Sequence, residues 1–484
     1  MNPSSNDQLS RQVAKGGFWV VLLRLTDVFS GLIRTVILAR ILSPFDFGLL
    51  GIALISVSLL ETFSQTGFET ALIQKKEAIE NFLNSAWTSL IIRGVILFAL
   101  LFWTAPYLSG FFHAPQAKPV LQVLSLTFLL QGFTNIGVVY FQKQLEFNKQ
   151  FFFRISGTFA DFIVVVSVAL ITRNVWALVF GILAGKFVQF VASYIFHPYR
   201  PRLQFDTAKI RELFNFGKWI FGSTVFIYFL TKGNDFFIGK FLGVAMLGLF
   251  QMADNVSSIP AKQITHVISQ VTFPAYSKLQ DEKTKLRETY LKVLKFTGFL
   301  SIPTAGLIFV FAQQITTLIL GEKWSPMVPA LKILAVGGLI RSLGATIGPV
   351  FHGIGKPEIM TKFMILQLGM FLALVYPFIN KWELEGAALA AVVPGFLVNI
   401  ILSFRIVKAV ECSLRHFYGV LICPFAGTTV VVLSIMIAKK FLPPLSLGVF
   451  LILALSGIAV YLLINYAFNK ELIKILKNLW RYIK

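Results

Sequence analysis

The run LSLGVFLILALSGIAVYLLINYAF at residues 445–468 contains no charged side chain. A bilayer core about 30 Å thick is crossed by a helix of about 20 apolar residues. Similar runs recur along the whole chain, with short connections between them. Because the runs are continuously apolar and do not alternate, they predict membrane-spanning helices and not barrel strands. No segment outside these runs is long enough to form a separate catalytic or ligand-binding domain.

These runs predict an all-α integral membrane protein with about 14 transmembrane helices. Hydrophobic residues make up 56% of the 484 positions and charged residues only 14%. Soluble domains are about 25% charged, so the composition also indicates the membrane class. The predicted spans lie near residues 16–41, 45–67, 84–106, 117–140, 151–172, 174–197, 213–233, 238–261, 296–319, 328–351, 359–380, 384–407, 417–438 and 445–468.

The formal net charge of +22 follows the predicted topology. Lys and Arg concentrate in both tails and in every second connection, whereas the other connections carry few. This positive-inside bias predicts a multi-pass protein of the inner membrane with both termini in the cytoplasm. Because topology explains the charge, no nucleic acid partner is expected. The first apolar run is too long for a cleavable signal peptide and contains Arg24, Asp27 and Arg34.

The chain repeats itself with an offset of 200 residues. Residues 17–19 match 217–219, and residues 39–50 match 239–250 in one register. Each repeat would contain six helices, an even number, so the two halves would share one orientation in the membrane. The predicted division is a first six-helix lobe at 1–199, a second at 200–410, and two extra helices with a basic tail at 411–484.

Two segments have the pattern of amphipathic surface helices. Residues 274–295 place Leu279, Leu286, Tyr290 and Val293 on one face, with Lys and Glu on the other. The tail, 469–484, opposes apolar residues to five basic ones. Both patterns predict a helix that lies on the inner membrane surface.

Ionisable side chains within membrane spans usually face a wet cavity or a partner, because exposure to lipid is costly. Arg24, Asp27 and Arg34 lie within about 80° of one face of the first helix. Arg24 and Asp27 are three residues apart and can form an ion pair. Arg34 has no obvious local partner.

Other spans also contain charged residues. Lys186 and Arg341 lie near the middle of their spans, and Asp161 is at a similar depth to Lys186, so these two can neutralise each other. Lys218 is about two turns from the cytoplasmic end, where its side chain can reach the interface. A surplus of buried bases predicts a cavity for an anionic cargo such as a phosphate or an acidic sugar. The predicted cavity residues are Arg24, Asp27, Arg34, Lys186, Lys218, Asp235 and Arg341.

No pattern predicts a catalytic site, a metal site or a nucleotide site. The two cysteines, Cys412 and Cys423, have no metal-ligand spacing, and HGIGKP at 352–357 lacks the Walker pattern. We therefore expect no cofactor and no ATP hydrolysis by this chain. Coupling of transport to an H⁺ or Na⁺ gradient stays open.

Several runs resemble bacterial polysaccharide flippases of the colanic-acid exporter (Wzx-like) type. They are QTGFETALIQ at 65–74, FPAYSKL at 273–279, LGEKW at 320–324 and the stretches 39–50, 235–250 and 331–334. The resemblance covers about residues 10–410 and extends to the multidrug/oligosaccharidyl-lipid/polysaccharide exporter superfamily. It implies two six-helix lobes arranged as a V, with the two C-terminal helices added, and an alternating-access cycle.

The resemblance also implies a cargo. This would be an undecaprenyl-diphosphate-linked oligosaccharide repeat unit, moved from the inner to the outer leaflet for O-antigen, capsule or exopolysaccharide synthesis. The implied partners are this lipid-linked substrate, membrane lipids, and the polysaccharide polymerase with other assembly proteins.

Two alternatives remain at this point. A cation-coupled multidrug antiporter of the same superfamily would have an acidic cavity and usually twelve helices. An integral-membrane polymerase or ligase would need a sizeable extramembrane loop. The basic surplus and the short connections count against these alternatives.

Overall fold

A computed structural model of the chain describes residues 3–75, 79–259, 272–442 and 446–468, with only the backbone described at 3–15 and 213–225. These residues form helices and turns, without a β-strand among them. The predicted all-α class is confirmed. The basic tail, residues 469–484, lies outside the described residues, so its predicted surface helix stays a prediction.

The helices of the first half are α1 (Pro3–Ile41), α2 (Pro44–Phe63), α3 (Phe68–Gln74), α4 (Glu80–Phe111), α5 (Ala117–Leu124), α6 (Leu126–Phe133), α7 (Val139–Lys143), α8 (Phe147–Thr172), α9 (Trp176–Phe196), α10 (Thr207–Phe241) and α11 (Val244–Ser257). Those of the second half are α12 (Lys283–Val310), α13 (Val328–Gly344), α14 (Gly348–Gly353), α15 (Pro357–Ala409), α16 (Leu414–Phe441) and α17 (Leu447–Phe468). Shorter helical segments lie at Ile136–Val138, Ala312–Gln314, Ile315–Leu320 and Glu322–Met327.

Local sequence explains where helix α2 begins. The Ser43 hydroxyl accepts a hydrogen bond from the Asp46 backbone N–H at 3.3 Å, and the Asp46 carboxylate accepts one from the Ser43 N–H at 2.9 Å. This is a capping box, and Pro44 at the first helical position has a backbone angle suited to a helix start. The same short motif places an acidic side chain at the positive end of the helix dipole.

The number of spans differs from the prediction. The described residues contain nine helices long and apolar enough to cross a membrane, or ten if the bent pair Ala117–Phe133 and Ile136–Lys143 forms one span. The predicted count of about 14 is therefore not confirmed. Helices α1 and α10 cover two of the other predicted spans but carry several charged residues, and α11 has only 14 residues.

Helix α15 accounts for a further difference in the count, because it contains two predicted spans. Its 53 residues would extend about 80 Å at 1.5 Å per residue, far more than a bilayer core. The backbone leaves the helical region at Trp382 and Glu383, where Glu383 has φ of 46°. A Cβ atom at Gly386 would overlap the carbonyl oxygen of Phe378, so the chain folds back on itself here. The two arms match the predicted spans 359–380 and 384–407.

Internal contacts divide the chain into two compact units, residues 1–248 and 249–484. The predicted lobes at 1–199 and 200–410 and the C-terminal segment at 411–484 rest on the sequence repeat, and they stay a prediction. In the first unit, α8 packs against α1 and α9, and α4 packs against α6. This bundle holds the cavity described below.

In the second unit, the two C-terminal helices pack against α12. The Tyr461 hydroxyl of α17 donates to the Phe299 carbonyl oxygen at 2.8 Å, and Phe311 and Phe450 form an edge-to-face pair 5.0 Å apart. Helix α12 itself corrects one prediction. Leu286 and Tyr290 are fully buried in a core cluster with Phe417 of α16, so the amphipathic face packs against protein and not on the membrane surface. The sequence pattern showed an apolar face without showing what covers it.

Candidate functional site

A cavity of about 510 Å³ lies inside the first unit. Helices α1, α3, α4, α6, α7, α8 and α9 line it. Its charged lining residues are Asp27, Glu69, Arg93, Arg154 and Lys186. Its amide side chains are Gln131, Asn135, Gln142, Gln150 and Gln189. A volume of this size is within the roughly 300–1,000 Å³ range of small-molecule sites.

Asp27 brings helix α1 into the cavity lining. It faces α8, where it interacts with Arg154 and with the hydroxyl of Thr158, and it also interacts with Arg24 of its own helix. The predicted proximity of Arg24 and Asp27 is therefore present, but Asp27 has a second cationic neighbour. Arg24 and Arg154 therefore share the single carboxylate of Asp27.

Arg34 and Asp161 form an ion pair between α1 and α8. The Arg34 Nε atom lies 3.1 Å from Asp161 Oδ2, and Nη2 donates to Oδ1 at 3.4 Å. The predicted neutralisation of Asp161 by Lys186 is wrong, because Arg34 occupies the carboxylate. The guanidinium group matches both carboxylate oxygens, which an ammonium group does not.

Two glycines of α9 explain why Asp161 can lie there. A Cβ atom at Gly181 would be 2.9 Å from Asp161 Oδ1, and one at Gly185 would be 3.0 Å from Asp161 Cβ. The Gly-xxx-Gly spacing thus makes room for the Asp161 side chain between α8 and α9. Lys186 follows Gly185 in the chain, so the close approach of α9 to α8 also places Lys186 beside the cavity.

Arg93 lines the cavity but is held by the end of α2. Its Nε atom donates to the Ser64 hydroxyl at 3.0 Å, and its Nη2 atom donates to the Glu61 carbonyl oxygen at 3.4 Å. Gln131 donates to the Glu61 carboxylate at 3.0 Å. A cation at a helix C-terminus complements the helix dipole, so Arg93 has a structural role in addition to any role toward a ligand.

Lys186 has a different environment. It is half-buried, and within the described parts of the chain no ion pair or hydrogen bond holds its ammonium group. Arg154 is more exposed and interacts with Asp27. These two bases are the cations of the cavity that the fold leaves most available to an anion.

The remaining predicted residues lie elsewhere. Arg341 forms an ion pair with Asp254, with 3.1 Å between Nη2 and Oδ1. Asp235 is buried, and Lys232 approaches its carboxylate at 3.5 Å. The Lys218 side chain falls outside the described residues, although its backbone belongs to α10. Of the seven predicted residues, Asp27 and Lys186 line the cavity in the first unit.

Sequence reasoning missed Arg93, Arg154 and the glutamines. Arg93 and Arg154 lie in predicted spans, so the cost of a charge in the bilayer was a sufficient signal for both. The glutamines carry no such signal, because amides are common at helix ends. No group of three or more His, Cys, Asp or Glu side chains suited to a metal ion occurs in the described ranges.

Comparisons with known proteins agree with this architecture. The model of a family described as "Polysaccharide biosynthesis protein" matches residues 37–329. The chain is 27% identical to the lipopolysaccharide biosynthesis protein WzxC of Escherichia coli, with 87% of this chain and 83% of WzxC covered. It is 23% identical to the succinoglycan biosynthesis transport protein ExoT of Rhizobium meliloti, with 85% and 80% covered.

Among solved structures, the fold is similar to that of the lipid II flippase MurJ in an inward closed conformation. The TM-score is 0.75 at 18% identity, and the match covers 94% of this chain and 100% of MurJ. The resemblance inferred from the sequence runs is thus confirmed. The protein is a multi-pass, all-helical membrane protein, and it belongs to the polysaccharide biosynthesis protein family.

Proposed function

We propose that this protein is a flippase for lipid-linked oligosaccharides. It moves undecaprenyl-diphosphate-linked repeat units from the inner to the outer leaflet of the cytoplasmic membrane by alternating access. The product is a surface polysaccharide: O-antigen, capsule or another exopolysaccharide. The protein transports its substrate without chemical change.

The observation that carries this proposal is the polar cavity with Arg154 and Lys186 in a membrane-spanning bundle. A charged side chain near the bilayer centre costs about 2.5–3.5 kcal/mol on insertion scales, and Lys186 lies near the middle of its span, so an available cation there calls for a functional reason. A diphosphate is a double anion that must be carried through the same apolar layer. Basic side chains in a cavity reduce that cost by replacing water around the phosphates.

Four further points support the proposal. The family is one of polysaccharide biosynthesis. One relative is named as a transport protein of succinoglycan biosynthesis. The fold is shared with a lipid II flippase, and the described connections between helices are short, which leaves little extramembrane structure for an enzyme.

The proposal includes a location and a topology. The basic residues of alternate connections favour the inner membrane with both termini in the cytoplasm. The cargo and membrane lipids are the direct partners, and a polysaccharide polymerase would receive the flipped units. We propose that an H⁺ or Na⁺ gradient, and no bound cofactor, supplies the energy of transport.

A deletion strain tests the function directly. The measurement is the amount and sidedness of lipid-linked glycan, together with surface polysaccharide. The proposal predicts loss of surface polymer, with complete repeat units trapped on the cytoplasmic face, and recovery on expression of the wild-type chain. Complete units on the outer face without polymer would instead indicate a polymerase or ligase. Unchanged glycans with increased drug sensitivity would indicate an antiporter.

A further inference from the structure

Three glutamine side chains line the cavity without a hydrogen-bond partner among the described residues. They are Gln142 on α7, Gln150 on α8 and Gln189 on α9. Among the residues that the structure describes, nothing hydrogen-bonds to their amide groups. By contrast, Gln131 is bonded to Glu61, and Asn135 is bonded to Tyr199 and Gly137. Within the described part of the chain, the cavity therefore presents three amides without a protein partner beside two bases.

Gln189 is set in place by a glycine of the neighbouring helix. A Cβ atom at Gly157 of α8 would overlap the Cγ atom of Gln189, so only glycine permits the side chain to cross α8 at this point. A Cβ atom at Gly185 would be 2.9 Å from the Gly157 carbonyl oxygen, and this close helix approach fixes α9 beside α8. The amide thus enters the cavity through a packing feature of the fold.

Each of two amides is one helical turn from a base. Gln150 and Arg154 are four residues apart on α8, and Lys186 and Gln189 are three residues apart on α9. Side chains at these spacings share a helix face, with Cβ atoms about 5–6 Å apart. Helices α8 and α9 therefore each present a cation next to an amide. On both helices, the amide lies closer than the cation to the same end of the bundle.

The chemistry of the amides selects a ligand class. An amide has two N–H donors and a carbonyl acceptor, whereas phosphate oxygens only accept. A bare diphosphate accepts from the amide N–H groups but offers no donor to the amide carbonyl oxygens, so it uses only one end of each amide. Sugar hydroxyl groups both donate and accept, so they satisfy both ends of each amide. An apolar drug would satisfy neither end.

We propose that Gln142, Gln150 and Gln189 form a subsite for the sugar attached directly to the diphosphate, while Arg154 and Lys186 bind the phosphates. The subsite makes the first sugar, and not the lipid or the phosphates alone, a condition for recognition. This inference rests on the proposed flippase function and adds the specificity determinant of its cargo.

The test compares two probes that differ only in the sugar. They are undecaprenyl diphosphate and the same lipid carrying one hexose, bound in competition by the full-length protein in nanodiscs. The wild type is expected to favour the glycosylated lipid. The triple variant Gln142→Ala, Gln150→Ala, Gln189→Ala is expected to lose about fivefold of that preference per amide, since one neutral hydrogen bond contributes about 1 kcal/mol. Its binding of the bare lipid should change by less than about twofold.

Three further variants separate this effect from misfolding and from loss of charge. Gln144→Ala removes an exposed amide that does not line the cavity, and it should keep the wild-type preference. The single variant Gln142→Ala, at an exposed position, should lose about fivefold with unchanged thermal stability. Lys186→Gln should weaken binding of both lipids equally.

The outcomes are distinguishable. A single and a triple variant that fold and keep the wild-type preference would overturn the sugar subsite. Wild-type protein that binds both lipids equally would do the same and leave a flippase selecting on the diphosphate. Wild-type protein that binds neither lipid, together with normal glycan export in the deletion strain, would overturn the proposed function as well.

Discussion

Gly48 and Gly248 lie in a reciprocal contact between the beginnings of helices α2 and α11. A Cβ atom at Gly48 would overlap the carbonyl oxygen of Val244, and a Cβ atom at Gly248 would overlap the carbonyl oxygen of Pro44. Both the glycines and the residues that they meet are 200 positions apart, which is the offset of the sequence repeat. Each segment therefore makes on the other the contact that it receives, as the predicted repeat would require.

Alanine at either glycine should destabilise the protein. Gly48→Ala and Gly248→Ala each place a methyl group on a backbone carbonyl, and overpacking of this kind costs about 1–3 kcal/mol. We expect a lower apparent melting temperature of the purified protein in detergent for both variants. Gly110→Ala is the matched control, because no atom of the described residues lies within 4 Å of its Cβ position. Equal melting temperatures for all three variants would contradict the contact.

The ion pair between Arg34 and Asp161 should contribute to stability more than to transport. Their side chains are 29% and 18% exposed, so we expect Arg34→Met or Asp161→Asn to cost about 2 kcal/mol, less than the roughly 3–5 of a fully buried pair. Lys149→Ala, which breaks an exposed pair with Glu146, should cost less than about 1 kcal/mol. A double-mutant cycle from melting curves without coupling would exclude the pair.

Lys186 and Arg154 should contribute to transport more than to stability. We expect Lys186→Gln and Arg154→Gln each to reduce transport by about tenfold or more, since a hydrogen bond to a charged group contributes about 1.5–3 kcal/mol. Membrane insertion and melting temperature should stay near those of the wild type, because in the described parts of the chain neither cationic side chain forms a hydrogen bond or a close ion pair, and Arg154 has only a longer-range attraction to Asp27. Surface polysaccharide in a complemented deletion strain is the measurement.

A third substitution serves as the control for charge alone. Lys118→Gln removes an exposed lysine at the start of α5 and should leave transport unchanged. Wild-type export by both cavity variants would remove the basic cavity from the proposed mechanism, although not the family assignment.

The segment after α9 should lose stability in mild acid. His197 is half-buried, its Nδ1 atom accepts a hydrogen bond from the Tyr199 N–H at 3.1 Å, and its ring stacks on Tyr140. Burial lowers the pKa of His197 below its usual value, and the nearby positive charge of Lys149 acts in the same direction while Glu146 opposes it. Protonation would also convert the accepting nitrogen into a donor.

The sign of the pH effect follows from this lowered pKa. Below the unfolded His pKa of about 6.5, the unfolded chain binds more protons than the folded one, so stability falls as the pH drops. We expect a decrease in melting temperature between about pH 7.5 and about pH 5.5 that is smaller in His197→Asn. His113→Gln, at an exposed position, should keep the wild-type decrease. An unchanged pH dependence in His197→Asn would contradict this role.

Much of the fold could be predicted from local patterns, and the exceptions have physical causes. Apolar runs of bilayer length predicted most helices, because in lipid a helix is the way a single segment pairs its own backbone groups. The fold-back at Glu383 inside α15 was also visible as two runs, 359–380 and 384–407. The amphipathic face around Leu286 and Tyr290 was visible too, but a stripe of apolar side chains does not show whether lipid or protein covers it.

The candidate site was predicted less completely. The cost of a bilayer charge predicted that Asp27 and Lys186 face a polar cavity, and both line the cavity of the first unit. It also identified Arg34 and Asp161, but helical spacing gives no information on pairing between helices that are distant in sequence. The free amides of Gln142, Gln150 and Gln189 become visible only when their surroundings are known.

Patterns along the amino-acid sequence predicted a helical membrane protein, a repeat with an offset of 200 residues, and charges within the spans that need partners or water. These properties depend on hydrophobicity and local spacing, which are read along one segment at a time. Tertiary structure alone decided which charges pair. Gly181 and Gly185 admit Asp161 between α8 and α9, where Arg34 reaches it, and this leaves Lys186 to the cavity. The choice depends on the distance between helix backbones, which no single segment encodes.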